Sequence, residues 1–263
     1  MTLRDSQLNI YNFKMMRSQP PQSFEFLRFD SNNNCNVHCV YCHNHRSAEL
    51  VGTEEFQAFL DQNVIDVTNF QVGCNMEPTL DDRLCDLMLR VARSRAKPKK
   101  LFVLQTNGIL LHMHKQEKIR DAGVTHLSIS IDAADAPTHK LLRGGTSLPK
   151  VLSNLVSFHR AFPMIDLIFI TTVNKLNVDK MENLVTLGVD VGVKKFVLRE
   201  VFFHPDSDVV DHSKMPSLLL EENDYPKMRE TLLAKFGNSV NFEFADAGFL
   251  GRVTKRMQAD SFR

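Results

Sequence analysis

The sequence contains no tryptophan, three tyrosines and five cysteines in 263 residues, and no cysteine follows Cys85. Small disulfide scaffolds carry many cysteines spread along a short secreted chain, so this class of protein is excluded. No apolar run approaches the roughly 20 residues that a membrane-spanning helix needs. Met1–Pro20 lacks the charged start, apolar core and cleavage site of a signal peptide. We therefore expect a cytoplasmic protein with reduced thiols and no membrane partner.

The chain is nearly neutral, because it has 32 Lys and Arg residues and 31 Asp and Glu residues, for a net charge of +1. Nucleic-acid-binding domains are usually strongly basic, so a nucleic-acid partner is not expected. The hydrophobic content of 43% is typical of a globular chain with a substantial core. We expect one domain over residues 1–263, with a lead (residues 1–22), a core (23–200), and a loop with a short C-terminal extension (201–263).

Three of the five cysteines, Cys35, Cys39 and Cys42, form a C-x3-C-x2-C run. A loop this short can place three thiolates on three irons of one iron–sulfur cluster, which leaves the fourth iron without a protein ligand. Structural metal sites are closed, whereas catalytic sites keep an open position, so the spacing favours a catalytic site over a structural one. The alternative is a closed structural zinc site with His43 or His45 as the fourth ligand.

Short apolar runs alternate with longer amphipathic ones along the chain. The runs predict strands over Phe24–Phe29, Val64–Val72, Leu101–Leu104, His126–Ile131, Ile165–Val173 and from Lys195, with a short last strand over Val240–Phe244. Helices are predicted over Thr79–Arg95, Leu111–Ala122, Leu148–Phe162, Asn177–Leu187 (ended by Gly188) and Asp224–Phe236. This alternation indicates an α/β fold of βαβ units, with sites at the carboxyl ends of parallel strands. His204–Glu222 predicts a long, substrate-facing loop.

The order of the motifs on these elements resembles the radical S-adenosylmethionine (SAM) superfamily. The resemblance covers roughly residues 24–200. It rests on Tyr41 before Cys42, Asn75-Met76-Glu77-Pro78, Gln105-Thr106-Asn107-Gly108, Ser128–Asp132 with His139 and Arg143-Gly144, and Thr172-Val173-Asn174 with Asn177. The last two groups are similar to the branch of the molybdopterin-precursor cyclase and the SPASM-type enzymes. The resemblance implies a partial (β/α)6 radical SAM barrel.

It also implies the cofactors: one [4Fe-4S] cluster on Cys35, Cys39 and Cys42, and SAM on the open iron. Reductive cleavage of SAM would then yield a 5′-deoxyadenosyl radical that abstracts hydrogen from a substrate. Glu77 is implied to meet the methionyl amine and Arg143 the methionyl carboxylate. The remaining implied SAM contacts are Ser130, Asp132 and Asn174 at the ribose, Tyr41 and Leu198 at the adenine, and the motif residues Asn75, Met76 and Asn107.

The chain departs from the family pattern in two ways, of which the first concerns SAM binding and the second the class of reaction. Asn75 and Met76 replace two glycines of the family motif. Because glycine permits close backbone approach, this chain is expected to hold the SAM amine differently from other family members. No cysteine after Cys85 is present to hold an auxiliary cluster, which favours epimerisation, rearrangement or elimination. Cys74, directly before the Asn75-Met76-Glu77-Pro78 motif, is a candidate hydrogen-atom donor to a substrate radical, and its alternative role is that of a small packed hydrophobe.

The expected partners are a small organic substrate and an external one-electron donor such as flavodoxin or ferredoxin. Modification of a peptide in a natural-product pathway is the second interpretation, and the short N-terminal lead is too small for a peptide-leader recognition domain. A third interpretation of another class is a non-catalytic binding protein stabilised by zinc or by a cluster.

Overall fold

A computed structural model of the chain describes residues 4–8, 24–63, 67–94, 100–202 and 207–247. Residues 1–3 and 9–22 of the predicted lead and 248–263 of the predicted C-terminal extension lie outside this description. As far as they are described, Met1–Asn36, Asn44–Ile129 and Lys150–Asp166 form one compact unit, and Val37–His43, Ser130–Pro149 and Leu167–Arg263 form a second one. Cys35 belongs to the first unit, while Cys39 and Cys42 belong to the second.

The described residues form eight strands and seven α-helices. The strands are β1 (Arg4–Leu8), β2 (Phe24–Phe29), β3 (Asn69–Val72), β4 (Leu101–Thr106), β5 (His126–Ser130), β6 (Asp166–Val173), β7 (Val193–Glu200) and β8 (Asn241–Ala245). The helices are α1 (Thr53–Asn63), α2 (Leu84–Arg93), α3 (Gln116–Asp121), α4 (Ala136–Leu142), α5 (Leu148–Ala161), α6 (Met181–Asp190) and α7 (Asp224–Phe236). No helix in the described ranges is long and apolar enough to cross a membrane.

In the first unit, β1 to β5 pair in parallel in their chain order. One face of β2, β3 and β4 is apolar and at most 2% exposed, and it consists of Leu27, Phe29, Phe70, Val72, Phe102 and Leu104. The opposite face carries polar side chains, among them Gln71 and Gln105, whose amides are joined by a 2.9 Å hydrogen bond. This alternation differs from the continuous apolar pattern of a parallel strand that is buried on both faces.

In the second unit, β6, β7 and β8 are parallel in the same sequential order. The chain between β7 and α7 packs against the cysteine loop through a buried apolar cluster of Leu142, Val201, Val210, Met215 and Leu218. Partly buried Val40 and Tyr41 pack against this cluster. The predicted long loop over His204–Glu222 therefore contributes core side chains, although residues 203–206 lie outside the described part of the chain.

Two predicted helices are shorter than their apolar periodicity indicates. The helix expected over Thr79–Arg95 begins only at Leu84, because Thr79 lies in a separate 3-10 turn over Pro78–Leu80. Both the N–H and the hydroxyl of Thr79 donate to Glu77, at 3.1 and 2.5 Å. The helix expected over Leu111–Ala122 likewise divides into a 3-10 turn and α3. Arg95 and the predicted strand start at Val64 lie outside the described residues.

The expectation that Gly188 ends its helix is wrong, because α6 continues to Asp190. Gly188 is a packing position instead. A Cβ there would lie 2.5 Å from the Phe196 ring on β7, so glycine allows the helix and strand to approach closely.

The helices α1 and α4 were not predicted from the sequence. For α4 a local signal is present, since the Asp135 side chain caps the Thr138 N–H at 2.8 Å and Pro137 lies in the first turn. The short length of α4 hides its apolar periodicity, so the cap is the stronger indicator.

Candidate active site

The cysteine loop follows β2, as the sequence predicts. In the first unit the carbonyl of Cys35 accepts a 3.0 Å hydrogen bond from Arg46 Nη1. In the second unit the N–H of Cys42 donates to the carbonyl of Cys39 at 3.0 Å, which closes a tight turn between the last two cysteines. His43 and His45, the candidate zinc ligands, are exposed.

The second unit fixes the central part of this loop against the C-terminal end of α4. The N–H of Val40 donates to the carbonyl of Leu142 at 3.0 Å. Gly144 follows with a φ of +54°, and a Cβ at this position would lie 2.3 Å from the carbonyl oxygen of His38. The backbone of the loop and the backbone after α4 therefore meet at a contact that only glycine permits.

A buried charged network lies at the same place. Arg143 Nε donates to Asp132 Oδ2 at 2.8 Å, and the Tyr41 hydroxyl donates to the same carboxylate oxygen. The Arg143 Nη1 group donates to Cys39 Sγ at 3.7 Å, within hydrogen-bonding range for sulfur. Burial lowers the pKa of Arg143, but Asp132, Tyr41 and Cys39 together raise it well above its usual value, so this guanidinium is cationic. Burial raises the pKa of the Cys39 thiol, and Arg143 opposes that rise.

The residues at the end of β6 complete the surroundings of Asp132. The N–H of Thr172 donates to Asp132 Oδ1 at 2.9 Å, and Asn177 Nδ2 donates to the Asp132 carbonyl at 2.9 Å. Asn174 is buried, and its side chain is bonded within its own turn, to the Thr172 carbonyl and the Leu176 N–H. The motifs at the ends of β5 and β6 thus converge on Asp132 in the second unit.

His139 on α4 lies close to this network and is fully buried. Neither of its ring nitrogens has a hydrogen-bond partner among the described residues. Burial lowers the pKa of His139 to about 4, while Asp132 and Asp135 oppose this shift and Arg143 adds to it. The imidazole is therefore neutral at physiological pH.

In the first unit Glu77 is 2% exposed, and its carboxylate accepts four hydrogen bonds. Besides the two from Thr79, it accepts the Thr106 hydroxyl at 2.6 Å and the Asn107 N–H at 2.7 Å. Burial raises the pKa of Glu77, and these donors oppose the rise. The Asn107 side chain donates to Asn36 Oδ1 at 2.7 Å. The motifs that follow β3 and β4 are thereby brought together, as expected for the carboxyl ends of neighbouring parallel strands.

Asp30 was missed by the sequence analysis, although it directly follows β2 at a carboxyl strand end. Its buried carboxylate accepts the backbone N–H groups of Cys74, Asn75 and Met76, at 2.8, 3.2 and 3.2 Å. Burial raises the pKa of Asp30, and the three amides oppose the rise. The segment where the family motif has glycines is thus held by a carboxylate. Cys74 is half-buried, and its Sγ lies 4.0 Å from the Phe29 carbonyl.

The other sequence-predicted residues lie on strands or in the core. Ser130 is half-buried at the end of β5. Leu198 is buried on β7, and its carbonyl accepts the Tyr225 hydroxyl at 2.5 Å. Cys85 is buried on α2.

The chemistry of the donor set fits an iron–sulfur cluster, since thiolates are the usual ligands and a charged N–H contacts one of the sulfurs. Within the described ranges, no three His, Cys, Asp or Glu side chains converge as ligands of a single metal ion. Cysteines that bind three different irons of one cluster do not need to meet at one atom.

Comparison with known proteins gives one family match and several relatives. The family model described as "Radical SAM superfamily" matches residues 31–188, more than half of the chain. The chain is 31% identical over 176 residues to the AdoMet-dependent heme synthase of Methanosarcina barkeri. It is 25% identical over 146 residues to the probable GTP 3′,8-cyclase of Methanocaldococcus jannaschii. These matches cover 64% and 53% of the chain and 47% of each relative, so the chain spans about half the length of the curated relatives it matches.

Solved structures share the fold. Streptococcus suis SuiB, solved with its precursor peptide SuiA, aligns with a TM-score of 0.64 at 15% identity over 89% of this chain and 51% of that chain. The protein anSMEcpe with bound AdoMet aligns with a TM-score of 0.64 at 18% identity over 86% of this chain and 64% of that chain. The predicted fold class, an α/β partial barrel, is confirmed.

Proposed function

Since this chain belongs to the radical SAM superfamily, we propose that it cleaves SAM reductively and abstracts hydrogen from a small organic substrate. The observation that carries the proposal is the C-x3-C-x2-C loop after β2, which lies inside the matched residues 31–188. The family predicted from the sequence is confirmed, and SAM and a [4Fe-4S] cluster are the cofactors of that family.

The chain's own residues have distinct tasks in this proposal. When bound, the cluster and SAM supply the electron and the 5′-deoxyadenosyl radical. Cys35, Cys39 and Cys42 hold the cluster, and Glu77 binds the methionyl amine by a charge-assisted contact. Asp30 positions the backbone immediately before Glu77. The remaining proposed SAM contacts are Tyr41, Asn75, Met76, Asn107, Ser130, Asp132, Arg143, Asn174 and Leu198.

The proposed reaction class is epimerisation, rearrangement or elimination, none of which requires an auxiliary cluster to take up an electron. For an epimerisation, Cys74 is the proposed hydrogen-atom donor to the substrate radical. The thiyl radical that this transfer leaves is reduced by the external one-electron donor, and water supplies the proton. In deuterated water, wild type is then expected to place deuterium in the product, and Cys74→Ala is expected to abolish this incorporation. Unchanged incorporation in Cys74→Ala contradicts the donor role.

A peptide substrate is the second candidate, because the structural neighbour SuiB was solved with its precursor peptide SuiA. An external electron donor and a cytoplasmic location remain predictions for this chain. Substrate-dependent formation of 5′-deoxyadenosine with metabolite extracts, but not with peptide fractions, is expected under the first candidate, and the reverse result favours the second.

The main test is anaerobic reconstitution with iron and sulfide, followed by dithionite and SAM and an assay for 5′-deoxyadenosine. Wild type is expected to form the product. Cys39→Ala is expected to lose it, while Cys85→Ala, which changes a buried cysteine on α2, is expected to retain it. A chain that takes up zinc without iron contradicts the proposal and favours a non-catalytic binding protein. A chain with a full cluster that forms no 5′-deoxyadenosine, whether alone or with the metabolite extracts and peptide fractions, does the same, because the added substrates test for strict substrate gating.

A further inference from the structure

We infer that Arg143 is a positioning residue that raises the reduction potential of the cluster through its hydrogen bond to Cys39 Sγ, and that Asp132 limits this effect. The inference rests on the proposed function, since it takes Cys39 as a cluster ligand. It adds a role in the SAM-free chain to the proposed contact of Arg143 with the methionyl carboxylate of SAM.

The geometry gives the guanidinium two different partners at once. Nε and Nη2 donate to the two oxygens of Asp132, at 2.8 and 3.4 Å. Nη1 donates to Cys39 Sγ at 3.7 Å. The side chains of Arg143 and Asp132 are only 11% and 0% exposed, so water screens these interactions weakly. Arg143 therefore faces the sulfur in one defined orientation.

The direction of the effect follows from electrostatics. Adding one electron makes a cluster and its thiolates more negative, so a nearby cation and an N–H donor stabilise the reduced form more than the oxidised form. Hydrogen bonds to the sulfurs and the local charge are known levers on cluster potentials. Arg143 therefore makes the cluster easier to reduce than the same thiolates would be without it.

Asp132 acts in the opposite direction, because its carboxylate offsets the charge of Arg143. The Tyr41 hydroxyl and the Thr172 N–H both donate to this carboxylate and keep it in place. Removing the charge of Asp132 while keeping its shape leaves the Arg143 cation uncompensated beside the sulfur. The two residues are thus expected to shift the potential with opposite signs.

The experiment is an EPR-monitored redox titration of the reconstituted full chain with dithionite, without SAM or substrate. Arg143→Met is expected to make one-electron reduction about tenfold less favourable, which is about 59 mV for one electron. Arg143→Lys, which keeps the charge, is expected to lie between wild type and Arg143→Met. Asp132→Asn is expected to shift the potential upward. Arg229→Met, at an exposed arginine of α7 that lies over the Phe244 ring, is the matched control and is expected to leave it unchanged.

If the two residues had a purely structural role, Arg143→Met and Asp132→Asn would shift the reduction potential in the same direction, and this result overturns the inference. An unchanged potential in Arg143→Met also overturns it. If Arg143→Met assembles no cluster, the directions in which Arg143→Lys and Asp132→Asn shift the reduction potential still decide whether the inference holds.

The two proposals fail separately. A potential that depends on Arg143, in a wild type that forms no 5′-deoxyadenosine, contradicts SAM cleavage alone. Normal 5′-deoxyadenosine formation with a potential independent of Arg143 contradicts this inference alone.

Discussion

The carboxylate of Asp30 accepts the backbone N–H of Cys74 at 2.8 Å, across a separation of 44 positions in the chain. The next two amides, of Asn75 and Met76, donate to the same carboxylate. A segment that glycines would make flexible is held in one conformation by a single buried side chain.

Replacement of this carboxylate is expected to release the segment before Glu77. Asp30→Ala leaves three backbone amides without their acceptor, so the free energy of unfolding should fall by about 1–3 kcal/mol. We expect SAM affinity of the reconstituted chain to fall about tenfold, or about 1.4 kcal/mol. Urea unfolding of the apo chain and equilibrium SAM binding measure the two effects. Asp61→Ala, on the exposed side of α1, is the control, and equal SAM affinities in the two variants contradict this role of Asp30.

Adjacent glycines allow the contact between α4 and the cysteine loop to be tested separately from backbone strain. Gly144 and Gly145 both have positive φ, of 54° and 94°. A Cβ at Gly144 meets the His38 carbonyl at 2.3 Å, whereas a Cβ at Gly145 meets nothing within 4 Å. Gly145→Ala should therefore cost only the strain of a left-handed residue, about 1–2 kcal/mol.

Gly144→Ala is expected to cost more than Gly145→Ala and to lower the iron bound per chain after reconstitution, because it displaces the backbone next to Cys39. Chemical denaturation of the apo chains and iron analysis of the reconstituted chains give the two quantities. Equal iron contents in both variants would show that the close contact does not support the loop.

The buried His139 predicts a loss of stability in acid. Its pKa is about 4 in the folded chain, against an ordinary value of 6.5. Between these values the unfolded chain binds more protons than the folded chain, so stability is complete above pH 6.5 and declines as the pH falls to 4. The contribution of His139 to the free energy of unfolding is up to about 3 kcal/mol. Urea midpoints of the apo chain, measured across this range, should fall with pH.

His139→Leu is expected to flatten this pH dependence, since both ring nitrogens lack partners within the described chain and the substitution removes only the titrating group. His112→Gln, at an exposed histidine, is the control and should retain the wild-type slope. The same slope in His139→Leu and in wild type would assign the acid sensitivity to other groups.

The packing of α6 on β7 depends on the absence of a side chain at Gly188. Gly188→Ala places a methyl group 2.5 Å from Phe196. We expect the free energy of unfolding to fall by about 1–3 kcal/mol. Thr186→Ala, at an exposed position of the same helix, should be neutral or slightly stabilising because alanine favours helix. Thermal unfolding of both variants distinguishes them, and a stabilised Gly188→Ala contradicts the packing role.

The parts of the site that could be predicted are those with a local signature. The spacing of the three cysteines and the position of Glu77 after a strand can be found from neighbouring residues, and the alternation of short and long apolar runs indicates the α/β class. Gly188 shows the limit of such patterns, because a glycine in a helix can mark either the end of the helix or a close contact. The close contact here is with Phe196, which belongs to another element and cannot be identified from the helix sequence.

The contacts that could not be predicted join residues far apart in the chain. Arg143 and Cys39 are 104 positions apart, and Asp30 and Met76 are 46 apart. Each pairing depends on strand register and on the exit direction of a loop, which composition and periodicity do not specify. Asp132 and Arg143 were assigned separately to SAM by resemblance, and only the folded arrangement reveals that they bind each other.

The docking of the cysteine loop on α4 also has a consequence for how the chain acquires its cofactor. Cys39 and Cys42 are synthesised well before the segment that receives their loop, Ser130–Pro149. At about 5–20 residues per second, the interval is on the order of ten seconds. During that time the thiols are open to oxidation and to competing metals. Cluster insertion is therefore expected to follow synthesis of α4, and anaerobic expression should raise the fraction of chains that can be loaded.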